Sequence, residues 1–129
     1  MTAIPDLARI QQALDALIVD DRSAVDAAFS EGLVLTGPGG CVKGRYEGLQ
    51  AVLDRFAVIA TRTSGTFGTE VEAVYEGSGG QLVTMTRHWA SLDGATLHGT
   101  QALLLQLDGD RICRIDMFRG PGAATGIWD

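Results

Sequence analysis

The sequence has few of the residues that mark several large protein classes. Two cysteines, Cys41 and Cys113, share no C-x-x-C spacing, which excludes a disulfide framework and predicts two reduced, buried thiols. Sixteen acidic residues outnumber ten basic ones, and the net charge of −6 disfavours nucleic acid and anionic membranes as partners. No apolar run approaches the ~20 residues of a membrane span, and no secretory signal is visible, so a cytoplasmic location is predicted.

Apolar residues, by contrast, are plentiful. They make up 46% of the chain against 20% charged residues, enough for a packed core. The 129 residues correspond to one domain, predicted to span residues 1–129. Near the C-terminus, Trp128 is expected to be packed against the rest of the domain.

The first half of the chain has helical periodicity. Apolar residues at helical spacing predict three helices, over residues 7–18, 25–29 and 49–59. Asp20 and Asp21 offer capping side chains for the second helix. Residues 33–35 predict a short strand, which the glycine-rich residues 37–40 end as a loop.

The second half alternates apolar and polar residues, as strands do. Four strands are predicted, over residues 67–75, 82–92, 96–107 and 111–119. In the first of them, Ala73 and Tyr75 are expected on the same face as Phe67. Short turns rich in glycine and aspartate separate the strands, which predicts an antiparallel meander. Helices followed by antiparallel strands indicate the α+β class.

The third of these strands is apolar on both faces. Leu103 and Leu105 share one face, and Ala102 and Leu104 share the other. An antiparallel sheet with one solvated face alternates more cleanly. Either helices cover one face and a second subunit the other, or the sheet curls around a cavity. Both alternatives indicate a curved sheet, and we expect a homodimer.

Several turn and loop segments resemble those of a known fold family. They are Phe29-Ser30-Glu31-Gly32, Gly37-Pro38-Gly39-Gly40, Gly44-x-Tyr46-x-Gly48, Ser64-Gly65-Thr66-Phe67, Leu92-Asp93-Gly94 and Asp108-Gly109-Asp110-Arg111-Ile112. With the element order, they resemble the nuclear transport factor 2-like fold and its SnoaL-like polyketide cyclase branch. The resemblance implies a cone-shaped, curved antiparallel sheet packed against about three N-terminal helices and enclosing an apolar pocket, usually in a dimer. This scaffold hosts isomerases, dehydratases, epoxide hydrolases, cyclases and non-catalytic binding domains, so the fold does not decide the function.

The acids that such relatives use are missing from their usual places. By resemblance, a ketosteroid isomerase has a tyrosine near Ala13, a base aspartate near Gly37 and an acid near Leu103. None of these three side chains can move a proton, which argues against that mechanism. Arg87 resembles a catalytic arginine of limonene epoxide hydrolases. Asp116 resembles the aspartate that those enzymes carry on their last strand. The middle acid of that triad is absent here.

Arg87 and Asp116 are the predicted polar centre. A carboxylate in an apolar cavity requires a partner, and an arginine supplies fixed donors. Such a pair could position a water, act as a base or hold an acid that protonates an epoxide or a carbonyl. The alternative is a cross-strand ion pair on the outer face. A one-residue change of register near Asp116 would turn Met117 and Arg119 inward and Asp116 outward.

The other polar residues have smaller predicted roles. His88 has the titration range for acid–base work and is the predicted helper, although strand alternation places it opposite Arg87. His98 shares a face with Leu104 and is expected at an interface. No spacing typical of metal ligands or phosphate loops occurs, so neither metal nor cofactor is predicted. The predicted substrate-binding residues are Tyr46, Phe67, Met85, Trp89, Gln101, Leu103, Met117 and Arg119.

Together these features predict a small, cofactor-independent enzyme of secondary metabolism. It would bind a hydrophobic, polyketide-like substrate and use acid–base chemistry for cyclisation, isomerisation, dehydration or epoxide opening. Two alternatives stay open. One is a non-catalytic ligand-binding or dimerisation domain, which the missing acids favour. The other is a cavity whose shape alone guides a reactive substrate.

Overall fold

The computed structural model describes residues 7–39 and 42–119. It contains three helices, α1 (Leu7–Val19), α2 (Arg22–Ala28) and α3 (Leu49–Arg62). Its six strands are β1 (Phe29–Gly39), β2 (Val42–Glu47), β3 (Gly68–Glu76), β4 (Gln81–Leu92), β5 (Ala95–Asp108) and β6 (Arg111–Arg119). Cys41 and Trp128 lie outside the described residues, so the expectations for them stay predictions.

The helices form where the apolar spacing predicts them. Helix α1 buries Leu14 and Leu17, and α3 buries Val52, among other residues on one side. The side chain of Asp21 accepts a hydrogen bond from the Ala24 N–H and caps α2, as expected. No helix of the described ranges is long and apolar enough to cross a membrane.

All six strands belong to one open sheet with the order β2-β1-β6-β5-β4-β3. Neighbouring strands are antiparallel except β1 and β6, which run parallel. The predicted antiparallel meander is confirmed for β3 to β6, and the sheet continues through a parallel pairing of β6 with β1. The prediction of a loop over residues 37–40 is wrong for residues 37–39, because they continue β1, and Gly37 pairs with Gly44 across a hairpin. A side chain at Gly37 would collide with the backbone oxygen of Val42, so glycine is required for this close pairing.

The sheet has two different faces. We call the face that packs against α1 and α3 the inner face and the opposite one the outer face. Strand β4 alternates regularly between them: Leu82, Thr84 and Thr86 are buried, while Met85 and Arg87 are exposed. The hydrophobic core lies between the inner face and the helices.

A bulge in β3 corrects the faces predicted for that strand. Val71 is opposite Thr86, but the register then shifts, and Ala73 is opposite Met85. A bulge places two residues against one and reverses the alternation that follows it. Ala73 and Tyr75 therefore lie on the outer face, and not on the face of Val71.

Candidate functional site

The predicted Arg87–Asp116 pair is not formed, because both side chains lie on the outer face and bind other groups. Arg87 Nη2 donates to Glu70 Oε2 on β3 at 2.5 Å. Asp116 accepts a hydrogen bond from the Thr36 hydroxyl, 2.5 Å away on β1, and another from Arg114 Nε at 2.8 Å. The geometry thus favours the alternative of structural ion pairs on the outer face.

A second bulge explains why Asp116 points outward. Gln106 is opposite Arg114 and Leu107 is opposite Ile112, so Cys113 is an extra residue in β6. Simple alternation from the buried Ile112 would have turned Asp116 inward. The bulge reverses that alternation and turns Met117 inward instead.

The carboxyl of Asp116 acts as an ionised link between strands. Partial burial raises its pKa, but the hydrogen bonds from Arg114 and Thr36 lower it, as does the positive charge of Arg45. The net pKa lies below the ordinary value of 3.8. Asp116 therefore remains charged at neutral pH and joins β1 to β6 as an acceptor.

On the inner face, a small cavity contains half of the predicted substrate-binding residues. Phe67, Gln101, Leu103 and Met117 line it, together with Leu14, Leu17, Ile18, Phe56 and Thr69. Its walls are apolar except at Gln101 and Thr69. Its volume is about 20 Å³.

The other predicted substrate-binding residues lie elsewhere. Met85 and Trp89 are on the outer face, because β4 alternates without interruption. Tyr46 lies on β2, half-buried against the core, and its hydroxyl donates to the Lys43 carbonyl at 3.1 Å. Arg119 is opposite Gln101 at the end of β6, and its side chain lies outside what the structure describes.

His88, by contrast, lies on the inner face. It is opposite Thr69 of β3 and Gly99 of β5, and Thr69 lines the cavity. Burial lowers the pKa of His88 below its ordinary value of 6.5, and the positive charge of His98 lowers it further. The imidazole is therefore neutral at physiological pH.

Two buried polar atoms have no hydrogen-bond partner among the described residues, and both lie on the inner face of β4. They are Oγ1 of Thr84 and Nδ1 of His88. Thr86, between them, donates to the Gln101 carbonyl at 3.3 Å. Buried polar atoms are normally paired, so these two atoms are exceptions, and neither residue lines the cavity beside Gln101. Strand alternation is the sequence signal for this arrangement, because it places Thr84, Thr86 and His88 on one face of β4.

No metal centre is evident in residues 7–39 and 42–119. No group of three or more His, Cys, Asp or Glu side chains there is placed to hold an ion.

Comparison with known sequences gives a distant relative of the same length. No protein-family model matches the chain. An uncharacterised protein of Mycobacterium tuberculosis is 27% identical over 130 residues, which covers 99% of each protein. It therefore assigns no activity.

Solved structures are similar over most of the chain. Bal32a, from a soil-derived mobile gene cassette, is 18% identical, with a TM-score of 0.83 over 95% of each chain. A nuclear transport factor 2-like protein of unknown function from Burkholderia pseudomallei is 15% identical, with a TM-score of 0.71 over 88% of each chain. A candidate SnoaL-like polyketide cyclase from Jannaschia sp. is 15% identical, with a TM-score of 0.67 over 92% of this chain and 90% of its own. The chain has the nuclear transport factor 2-like fold, as SnoaL-like proteins do.

Proposed function

We propose that the protein binds a small hydrophobic molecule between the helices and the inner face, and that His88 is its acid–base group. The observation that carries this proposal is the buried, unpaired Nδ1 of His88. The same strand face has a second unpaired polar atom, the hydroxyl oxygen of Thr84. A binding site is typically an apolar enclosure with a few polar groups, and the inner face has that composition.

The chemistry follows from the neutral imidazole. Cyclisation, isomerisation, dehydration and epoxide opening all need one group that accepts a proton and returns it. A neutral histidine does both, first as a base and then as its conjugate acid. The Gln101 amide, in the cavity wall, can orient a carbonyl or hydroxyl by hydrogen bonding. This scheme uses no cofactor.

The apolar walls indicate the substrate class. Leu14, Phe56 and Leu103 offer only hydrocarbon surface to a ligand. The structural similarity to the candidate polyketide cyclase also supports a polyketide-like substrate. A pathway of secondary metabolism is the setting that we propose.

A thermal-shift screen of apolar lactones, epoxides and polycyclic ketones tests the proposal. Compounds that stabilise the protein are then incubated with it and followed by mass spectrometry. We expect His88→Gln to bind them but to lower turnover by about 10²–10⁴-fold. The matched control is His98→Gln on the outer face of the next strand, which should keep full activity. Equal turnover by both variants would contradict the role of His88.

A second candidate function, dimerisation, is favoured by the outer face. Tyr75, Val83, Met85, Trp89 and Phe118 all lie there and are 37–60% exposed. Cross-strand pairing joins them into one patch over β3, β4, β5 and β6. From strand spacing, the patch measures roughly 20 Å by 20 Å, or roughly 400 Å². The largest apolar patch of a monomer is commonly of this size and is often functional.

The charges around the patch favour a second copy of this chain as the partner. Arg87–Glu70, Arg114–Asp116 and Arg45–Glu47 are ion pairs on the outer face. Their charges cancel locally, although the chain has a net charge of −6. Two such faces would meet without net repulsion, whereas a strongly charged partner would gain no attraction. With this polar rim, the face approaches the ~800 Å² per partner of a standard interface.

Light scattering after size-exclusion chromatography tests this homodimer. We expect the wild type to have twice the mass of one chain and Met85→Glu to have the mass of one. Val58→Glu, an equally drastic change at an exposed position of α3, should leave the dimer intact. A monomeric wild type would contradict the proposal.

A further inference from the structure

The cavity beside Gln101 is too small to hold a substrate alone. Its volume is about 20 Å³, and a single water needs about 10–15 Å³. Sites for small organic ligands usually measure about 300–1,000 Å³. A molecule whose polar group reaches Gln101 must therefore keep most of its volume in an adjoining space.

A cleft between α1 and α3 provides such a space. Its volume is about 310 Å³. Leu17, Ile18 and Phe67 line both the cleft and the cavity, so these shared side chains form the partition between them. The other lining residues of the cleft are Val19, Asp20, Leu53, Ala57, Ala60 and Gly65.

The walls of the cleft define what it can bind. Ala57, Ala60 and Gly65 leave room along α3 and present no polar side chain. Asp20, exposed just after α1, is the charged residue of the lining, and its carboxylate is paired with Arg22 Nε at 3.5 Å. The chemistry fits an uncharged aliphatic or aromatic group.

We infer that this cleft is a second compartment of the ligand site, which binds the apolar end of an elongated, uncharged molecule. The polar end of that molecule reaches Gln101 past Phe67, and for this end the inference rests on the proposed function. Phe67 lies immediately before β3, with its ring 6.5 Å from that of Phe56. A shift of its ring would join the two spaces.

A second groove of similar size offers a matched comparison. It lies between α1 and α2, has a volume of about 270 Å³ and is lined by Ala24, Ala27 and Ala28, among others. It shares no lining residue with the inner cavity. Filling it should therefore leave the ligand site unchanged.

Isothermal titration calorimetry with methyl ketones, from 2-pentanone to 2-decanone, tests the inference. We expect each added methylene to tighten binding by about fourfold while the chain extends into the cleft. Ala57→Phe should remove this dependence on chain length, and Ala27→Phe, in the other groove, should keep it. Ala60→Leu replaces Ala57→Phe if circular dichroism shows that the latter is unfolded.

Each outcome separates the cleft from the acid–base proposal. A length dependence that Ala57→Phe abolishes supports the cleft, whether or not His88→Gln changes turnover. No binding of any ketone, or affinity independent of length, overturns the cleft while leaving the His88 test intact. Loss of the dependence in Ala27→Phe alone also overturns it, because the α1–α2 groove would then be the site.

Discussion

The inner and outer faces of the sheet treat their polar groups in opposite ways. On the outer face, Arg87 is paired with Glu70, and Asp116 with Arg114 and Thr36. On the inner face, Thr84 and His88 each leave a buried atom unpaired. A polar group with a partner mainly stabilises the folded chain, whereas a buried polar group without one leaves its hydrogen-bonding capacity unused. The outer face has more charged groups, but the polar atoms without a hydrogen-bond partner lie on the inner face.

The largest expected difference between the faces is in stability. Leu105 is fully buried on the inner face, and its neighbour Leu104 is half-buried on the outer face. We expect Leu105→Ala to lower the free energy of unfolding by about 2–5 kcal/mol, because it leaves a cavity in the core. Leu104→Ala should lower the free energy of unfolding by clearly less, as measured by urea denaturation of the monomer. Equal losses would show that the outer face is as well packed as the inner one.

Asp116 gives the next largest effect. Asp116→Asn should lower the free energy of unfolding at neutral pH by about 1–3 kcal/mol, because a charged acceptor of two side-chain donors is lost. The pKa of Asp116 is lowered in the folded chain, so its contribution is present above the unfolded pKa and is lost as pH falls through the folded one. The two proteins should therefore converge in stability in acid. Thermal shifts by ligands should be the same for both, and a changed shift would restore Asp116 to the ligand site.

His88 predicts a smaller pH-dependent effect of the same sign, in a higher pH range. Its folded pKa lies below the ordinary 6.5, so the unfolded chain binds a proton first as pH falls. The free energy of unfolding should therefore decrease as pH falls through about 6.5. His88→Gln should flatten this part of the profile, and His98→Gln should retain most of it. An unchanged profile in His88→Gln would show that the imidazole is not desolvated.

The Arg87–Glu70 pair should matter least. Both side chains are about half exposed, and such surface pairs contribute about 0–1 kcal/mol. In the monomeric Met85→Glu background, a double-mutant cycle of Arg87→Ala and Glu70→Ala in urea denaturation should give a coupling energy in this range. A larger coupling energy in that background would mean that the pair is shielded from solvent even within one chain.

Most of the fold could be predicted because the spacing of apolar residues along the chain follows which side of each helix or strand is buried. The unbroken alternation of β4 correctly placed His88 on the face opposite Arg87. The prediction of a strand over residues 33–35 found the centre of β1, but β2 was missed because its glycine and charged residues lack the apolar run of a typical strand.

The site was harder to predict, because bulges leave no clear mark in a sequence. The extra residue Cys113 turned Asp116 outward, and a similar bulge exposed Tyr75. The choice of Arg87 and Asp116 relied on resemblance to limonene epoxide hydrolases, whose triad includes an acid that this chain lacks. Arg87 is paired with Glu70 on the neighbouring strand β3, whereas Asp116 is paired with Arg114 two residues away on its own strand.

The parallel pairing of β1 with β6 also bears on how the chain reaches this structure. Thr36 and Asp116 are 80 residues apart in sequence. During synthesis, the β1–β2 hairpin must wait for almost all of the described chain before its neighbouring strand exists. The β3–β6 meander, in contrast, can form from consecutive segments. Closing the long loop is entropically costly and slow, so we expect joining of the hairpin to the meander to limit the folding rate, and the unpaired edge of β1 to be the segment most exposed to aggregation until then.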